Sequence, residues 1–247
     1  MSRLAVLFAS IAFAAPAGAE TLRVLALDSA PFFYEKNGRM AGIEYDILDY
    51  FAKSRNATLE VEFASSFASI LERVEKGEAD VAGGTITITP ERARRVSFSA
   101  PYFPVQVVLV ERMGDDTHSV RDLVGHKVAA FAGTTAEDAL KAVPGIEIVN
   151  EGPLEEQMRA IERGDLRAAA ADSSAIIPEL ENFPGLKIGM ALGEESGFGF
   201  ALPKDSPLTA SLSETVRKLK QSGIYFRIVT AHMGPRASEI VRGAKLE

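Results

Sequence analysis

The sequence contains no cysteine, few histidines and no stretch of clustered basic residues. The lack of cysteine excludes disulfides and thiolate metal sites. Its three histidines, His118, His126 and His232, are scattered and have no other ligand-like residue beside them. A net charge of −7 without a basic stripe argues against nucleic-acid binding. We therefore expect no metal site, no cofactor and no nucleic-acid partner.

The sequence also lacks the common catalytic signatures. It contains no G-x-S-x-G elbow, P-loop, G-x-G-x-x-G turn or H-E-x-x-H helix. Its 247 residues, 47% hydrophobic and 25% charged, match an ordinary globular protein of one large domain or two small ones. We therefore expect a protein that is not an enzyme.

One long apolar run occurs, at the N-terminus. Arg3 precedes the run Leu4 to Ala15, and Ala17-Gly18-Ala19 fits a signal-peptidase site. The run is too short to span a bilayer as a mature helix, and a proline and a glycine interrupt it, which disfavours an uncleaved anchor. We expect residues 1–19 to be a cleaved signal peptide and the mature protein to be periplasmic.

The segment Gly83 to Arg92, with the sequence GGTITITPER, has the character of an anion-binding loop. Thr89-Pro90 is typical of a helix N-cap followed by proline at the first helical position. Arg92 then lies one turn into the helix, from which its guanidinium can swing back towards the loop. Backbone N–H groups, the Thr87 hydroxyl and this cation suit a small carboxylate. The alternative is a plain turn and helix cap with a surface arginine.

Three further positions follow predicted strands or begin predicted helices. Asp28 follows the first strand, at the sheet edge where ligands collect in α/β folds. Thr134 and Glu137 form a capping box, which places Thr135 at a helix N-terminus. Asp172 ends a buried strand and precedes a helix. Each has a structural alternative: a turn residue for Asp28, and helix caps for Thr134 and Asp172.

The run from Asp80 to Phe103 resembles the extracellular solute-binding protein family 3 of polar amino acid ABC transporters. That family shows D-V-x-x-x-G-x-T-I-T-P-E-R followed by V-D-F-S-x-P-Y, and this chain keeps the register from Asp80 to Arg92. Ser97, Ala100 and Thr85 depart from the pattern. Further matches extend the resemblance along nearly the whole mature chain: Gly42 to Ile47, Gly133 to Thr135, Gly164 with Asp172, and Gly197 to Leu202.

The resemblance implies an α/β fold of the type II periplasmic-binding class. It consists of two lobes, each a mixed sheet flanked by helices, joined by two hinge strands. We expect lobe 1 to comprise residues 20–106 and 200–247, and lobe 2 to comprise residues 107–199. The crossing strands are expected near Val105 to Val110 and Gly197 to Leu202.

The resemblance also implies a site for a free amino acid. Its carboxylate would bind Arg92, Thr87 and Thr135, and its ammonium would bind Asp172 and the Thr85 carbonyl. Phe67 falls where the family stacks an aromatic over the ligand, although a core phenylalanine is the alternative. The following residues are expected to line the side-chain pocket: Asp28, Phe67, Gln106 and Glu194.

The loop after Asp28 is two residues shorter than the family pattern. The aromatic that usually touches the ligand is therefore missing, or Phe32 or Tyr34 replaces it. Glu44 and Asp46 occupy the first turn of a predicted helix, where the dipole favours acids, and are interpreted as structural.

The predicted function is capture of a polar amino acid for an ABC importer in the inner membrane, with the protein a monomer. Two alternatives stay open. Some members of this fold family resemble prephenate or arogenate dehydratases, and Asp28 or Glu194 offers the necessary acid. The second alternative is a periplasmic partner or sensor protein without a transport role. The shortened loop after Asp28 is the feature that favours it.

Overall fold

Two five-stranded sheets form the framework of the protein. The computed structural model describes residues 20–150 and 152–234. The predicted signal peptide, residues 1–19, lies outside the described residues, as does the end of the chain from residue 235. Each sheet carries its own helices and its own apolar core, which gives the two-lobed α/β architecture that the sequence predicts.

The first lobe is built from both ends of the described chain. Its sheet has the strand order β4-β1-β5-β14-β6, in which β1 pairs in parallel with β4 and β5. Its elements are β1 (Glu20–Ala26), β2 (Tyr34–Lys36), β3 (Arg39–Ala41), α1 (Ile43–Ser54), β4 (Ala57–Phe63), α2 (Phe67–Glu75), β5 (Val81–Ala82), α3 (Pro90–Arg95), β6 (Ser97–Phe98), β14 (Ala201–Leu202), α7 (Leu208–Gln221) and α8 (Ile224–Met233).

The second lobe contains the sheet β10-β9-β11-β8-β12, in which β8 runs antiparallel to both of its neighbours. Its elements are β8 (Val107–Arg112), a 3-10 turn (Val120–Leu123), β9 (Lys127–Ala129), α4 (Thr135–Lys141), β10 (Glu147–Val149), α5 (Leu154–Arg163), β11 (Ala168–Asp172), α6 (Ser173–Glu179), a second 3-10 turn (Leu180–Asn182) and β12 (Leu186–Ala191).

Two short strands join the lobes. β7 (Phe103–Val105) and β13 (Ser196–Phe198) pair antiparallel, with Val105 opposite Ser196. The predicted continuous strand from Val105 to Val110 is wrong in one respect: Gln106 separates β7 from β8. The chain therefore crosses at Gln106 and returns just before Ser196. The exact lobe boundaries given above stay a prediction.

The helices bury the faces that their periodicity predicts. Ile43, Ile47 and Leu48 of α1 are fully buried in the first lobe, and α7 and α8 pack against the same core. Ile70 and Val74 of α2 are also fully buried, on the other face of the same sheet. This packing holds the ends of α1, β5 and α3 close together, where the predicted site lies.

Candidate functional site

The loop after β5 is shaped by two residues with positive φ. Gly84 has a φ of 127°, and a Cβ there would lie 3.1 Å from the backbone nitrogen of Leu27. Thr85 has a φ of 53°, in a region that residues other than glycine rarely adopt. This conformation turns the N–H groups of Gly84 and Thr85 towards the interior of the first lobe.

Glu44 of α1 accepts hydrogen bonds from that loop. Its carboxylate is buried and receives the N–H of Gly84 at 2.8 Å, the N–H of Thr85 at 2.9 Å, and the hydroxyl of Tyr102. Burial raises the pKa of Glu44, and the three donors oppose that rise. The sequence identified Glu44 as structural; its particular role is to anchor the site loop.

Arg92 lies where the sequence predicts. Thr89 caps α3 by accepting the N–H of Arg92 at 3.2 Å, and Pro90 occupies the first helical position. The guanidinium is largely buried, stacks on the ring of Phe67 at 5.1 Å, and returns to the loop through a 3.0 Å bond from Nη1 to the Thr87 carbonyl. Phe67 thus packs against the arginine in this structure.

The second lobe presents Asp172 at the end of β11. The helix cap that was its structural alternative is met in position only: Asp172 is the N-cap residue of α6, but its side chain makes no capping bond. Although part of the residue is exposed, Oδ1 is buried and has no hydrogen-bond partner among the described residues. Burial raises the pKa of Asp172 to about 7, and the charge of Arg92 opposes the rise. A buried carboxylate oxygen is therefore available to a donor from outside the chain.

Thr135 begins α4 beside this carboxylate. Thr134 caps the helix by accepting the Glu137 N–H at 3.3 Å, as predicted. The reciprocal half of the capping box differs, because the Glu137 carboxylate accepts the N–H of Gly133, at 2.9 Å, and not that of Thr134.

A cavity of about 290 Å³ separates the lobes at this point. It brings together three predicted ligand-binding residues, Thr87, Thr135 and Asp172, together with the predicted pocket residue Glu194. The remaining lining residues are Ile88, Thr89, Pro90, Val105, Val107, Leu192, Gly193, Glu195 and Ser196.

Arg92 and Phe67 line a smaller neighbouring cavity of about 180 Å³, which shares Thr89 with the first. Burial lowers the pKa of Arg92, while Asp138 and Asp172 act in the opposite direction. The guanidinium therefore lines the smaller cavity, and it donates hydrogen bonds to the carbonyl groups of Thr87 and Gly133.

Three residues predicted for the site or its side-chain pocket line neither cavity: Asp28, Thr85 and Gln106, whose side chain donates to the Gly193 carbonyl. Asp28 is exposed. Thr85 uses its N–H for Glu44 and its hydroxyl for the Gly84 carbonyl. The predicted replacement of the missing aromatic is also wrong: Phe32 packs edge-on against Phe103 in the core, and the Tyr34 hydroxyl contacts His232.

The sequence reasoning missed Glu195. Glu195 follows Glu194 immediately, and both residues precede β13. The available signal was therefore two consecutive acidic residues just before a hinge strand. Among the described residues, no group of three histidine, aspartate or glutamate side chains is placed to hold a metal ion. In the same part of the chain, no helix has the length and apolarity of a membrane span.

The family model of bacterial extracellular solute-binding proteins, family 3, matches residues 22–235. The chain belongs to this family. Its two-lobed architecture is the type II periplasmic-binding fold, which similar solved structures share. The resemblance that the sequence motifs predict is thereby confirmed.

Among solved structures, this family member is similar to a mutant of ArgBP from T. maritima, with 28% identity, a TM-score of 0.77, and coverage of 86% of this chain and 95% of that one. An ancestral arginine-binding protein bound to arginine shows 28% identity and a TM-score of 0.75, over 87% of this chain and 98% of that one. The GluR0 ligand-binding core from Nostoc punctiforme is 23% identical, with a TM-score of 0.77 over 87% of this chain and 100% of that one. This similarity supports the fold alone.

The curated relatives are longer proteins. A membrane-bound lytic murein transglycosylase F from Pseudomonas putida (strain GB-1) is 24% identical over 86% of this chain and 46% of its own length. The corresponding protein of Cellvibrio japonicus is 23% identical over 90% of this chain and 47% of its own length. The family member described here thus spans about half the length of the curated relatives that it matches.

Proposed function

We propose that this protein binds a free polar amino acid between its lobes. The observation that carries the proposal is the buried Oδ1 of Asp172, which has no partner among the described residues and lines an interlobe cavity. A buried carboxylate without a donor is costly, and an ammonium group supplies the missing donor and the opposite charge. Asp172 is therefore assigned to the ligand ammonium.

The ligand carboxylate is assigned to Arg92 and Thr87 of the first lobe and to Thr135 of the second. Thr87 and Thr135 both line the cavity, and Arg92 lines the smaller cavity next to it. One Arg92 nitrogen, Nη2, donates at 3.1 Å to the Gly133 carbonyl of the other lobe. A carboxylate is a stronger acceptor than a carbonyl, so the ligand carboxylate replaces the Gly133 carbonyl as the acceptor of the hydrogen bond from Nη2.

Binding of this kind favours lobe closure. Thr87 and Arg92 belong to the first lobe, whereas Thr135 and Asp172 belong to the second. A zwitterion that contacts all four residues binds the closed arrangement better than an open one, and therefore shifts the population towards it. The proposal continues from binding to transport: the protein is exported to the periplasm and delivers its ligand to an ABC permease, as its family and its arginine-binding neighbours support.

Calorimetric titration of the mature chain, residues 20–247, with a panel of amino acids tests the binding. We expect one or a few amino acids to bind, and Arg92→Ala and Asp172→Asn each to weaken the affinity by more than about tenfold while thermal unfolding stays cooperative. Arg94→Ala is the matched control, because Arg94 is exposed on the same helix and lines neither interlobe cavity. Binding that survives Asp172→Asn at full strength would overturn the assignment of the ammonium site.

A second candidate is a sensor or partner protein that binds the same ligand without importing it. The observation that favours it is the match to transglycosylases of about twice this length. Uptake of the labelled ligand by the source strain, with and without the gene, separates the two roles. An unchanged uptake rate supports the sensor, and turnover of added prephenate or arogenate by the purified protein would support a dehydratase.

A further inference from the structure

We infer that the ligand carries a cationic side chain, and that Glu194 and Glu195 form the subsite that binds it. The inference rests on the proposed amino acid binding and names the class of ligand. It starts from the charge of the cavity wall. Three acidic residues line the cavity, Asp172, Glu194 and Glu195, and no lysine, arginine or histidine of the described chain does so.

The first step concerns the number of charges. Asp172 contributes the buried, unpartnered oxygen that the ligand ammonium satisfies. Glu194 and Glu195 therefore remain as a second acidic group, and neither forms an ion pair or side-chain hydrogen bond with any other described residue. An acidic ligand side chain would be repelled here, while a neutral one would leave the glutamates unpaired. A ligand with two positive groups and one negative group places its ammonium at Asp172, its carboxylate at Arg92 and its cationic side chain at the two glutamates.

The second step concerns rigidity. The loop that carries the glutamates is fixed at both ends: Leu192 donates its N–H to the Val107 carbonyl at 2.8 Å, and the Ser196 hydroxyl donates to the Ile88 carbonyl at 3.0 Å. The Gln106 side chain also donates to the Gly193 carbonyl at 3.3 Å. A short loop held in this way keeps the backbone of both glutamates at the cavity wall, which favours recognition by pre-organisation.

The third step concerns shape. Apolar residues line the cavity beside the glutamates, among them Val105, Val107 and Leu192. A chain of methylene groups packs on such a surface while its charged end reaches the acids. A bound divalent cation would also match the charge, but no described group of three acidic or histidine side chains is arranged to hold one. Arginine, lysine and ornithine combine the required stem and charge.

The test compares arginine with citrulline, its neutral isostere, in calorimetric titrations of residues 20–247, with lysine, glutamine and glutamate as further ligands. We expect arginine or lysine to bind about tenfold more tightly than citrulline or glutamine, and glutamate to bind most weakly. The double variant Glu194→Gln/Glu195→Gln should reduce the arginine-to-citrulline ratio to about one while it keeps the binding of citrulline.

The double variant Glu35→Gln/Glu60→Gln is the matched control. It also removes two exposed negative charges, but neither residue lines the cavity. The ratio should therefore stay at its wild-type value. Preferential binding of a neutral or acidic amino acid by the wild type, or an unchanged ratio in the Glu194/Glu195 variant, would overturn the cationic subsite and leave the proposed amino acid binding intact. A failure of every amino acid to bind would overturn both.

Discussion

The guanidinium of Arg92 in the first lobe donates a hydrogen bond of 3.1 Å to the carbonyl oxygen of Gly133 in the second. Gly133 also lies against Ala68 of the first lobe, such that a Cβ at Gly133 would stand 3.2 Å from the Ala68 Cβ. This contact closes one side of the crevice between the lobes. Arg92 is also the residue assigned to the ligand carboxylate. The same guanidinium is therefore involved both in the contact between the lobes and in the proposed ligand binding.

Gly133→Ala should disfavour the closed arrangement, because the added methyl group presses on Ala68. A ligand that binds the closed state then pays a larger conformational cost, and we expect its affinity to fall about tenfold. Titration calorimetry measures the affinity, and small-angle scattering with saturating ligand measures the compaction.

Gly125→Ala is the control for backbone strain. Gly125 has a φ of 79° against 76° for Gly133, but a Cβ at Gly125 would meet no atom within 4 Å. Both variants should therefore lose about 1 kcal/mol of stability, since alanine disfavours this region. Equal losses of affinity in the two variants would show that the contact with Ala68 has no part in closure.

Ligand affinity should increase with pH between 6 and 8. Burial raises the pKa of Asp172 to about 7, and the ligand ammonium proposed for this residue would bind the ionised carboxylate. We expect the affinity at pH 6 to be about tenfold weaker than at pH 8. At pH 6 about nine-tenths of Asp172 is protonated, whereas at pH 8 only about one-tenth is. Titrations across this range check the slope, and Asp172→Asn should abolish it. A flat profile for the wild type would contradict the assignment.

The same group makes ligand-free stability depend on pH in the opposite direction. The folded pKa lies above the unfolded value of about 3.9, so the folded state binds more protons between these values. The stability that Asp172 contributes is therefore complete below pH 4 and is lost as pH rises through 7. Between pH 5 and pH 8, thermal unfolding should shift downwards more for the wild type than for Asp172→Asn. Parallel shifts would contradict the raised pKa.

The sequence predicted the parts of the fold that local interactions determine. Thr89-Pro90 caps α3 because the threonine oxygen and the fixed proline φ act within one turn. Asn-Gly is a pair typical of two-residue hairpin turns, and Asn37-Gly38 forms the turn between β2 and β3, where both residues have positive φ. The apolar face of α1 is buried because its spacing matches the helical period.

Features that depend on distant packing were beyond sequence reasoning. Glu44 anchors a loop forty residues away, which no local pattern indicates. Asp172 precedes a helix as a cap would, yet its carboxylate is directed elsewhere. Phe32 follows Asp28 as a ligand-stacking aromatic would, but the core around Phe103 and Phe198 takes up its ring.

Glu44→Gln should weaken both stability and ligand binding. The glutamine side chain keeps one oxygen as an acceptor but places an N–H2 group against the backbone N–H of Gly84, which in the wild-type protein bonds to both carboxylate oxygens. Two donors then face each other in a buried site, and the carboxylate charge is lost. The expected loss of stability is about 1–3 kcal/mol, measured by urea unfolding. Ligand affinity should fall with it, since the loop leads directly to Thr87.

Asp49→Asn on the same helix is the control for this variant. Asp49 pairs with Lys53 at the surface, and its loss should change stability by less than about 1 kcal/mol. Tyr102→Phe removes one donor to Glu44 and should be destabilising in the same direction as Glu44→Gln. If Glu44→Gln and Asp49→Asn lose the same amount of stability, the anchoring role assigned to Glu44 is wrong.

Asp28→Asn should leave ligand affinity within about twofold of the wild type, since an exposed carboxylate that lines neither cavity contributes little to binding. The sequence predicts Asp28 as a ligand residue, but its side chain is exposed and lies outside both interlobe cavities. Asp172→Asn should lose more than about tenfold under the same conditions, because its carboxylate is buried in the cavity wall. Titration of both variants with the same ligand gives the comparison. A loss for Asp28→Asn as large as that for Asp172→Asn would mean that the loop after β1 closes over the bound ligand, and the family assignment of Asp28 would then hold for this chain.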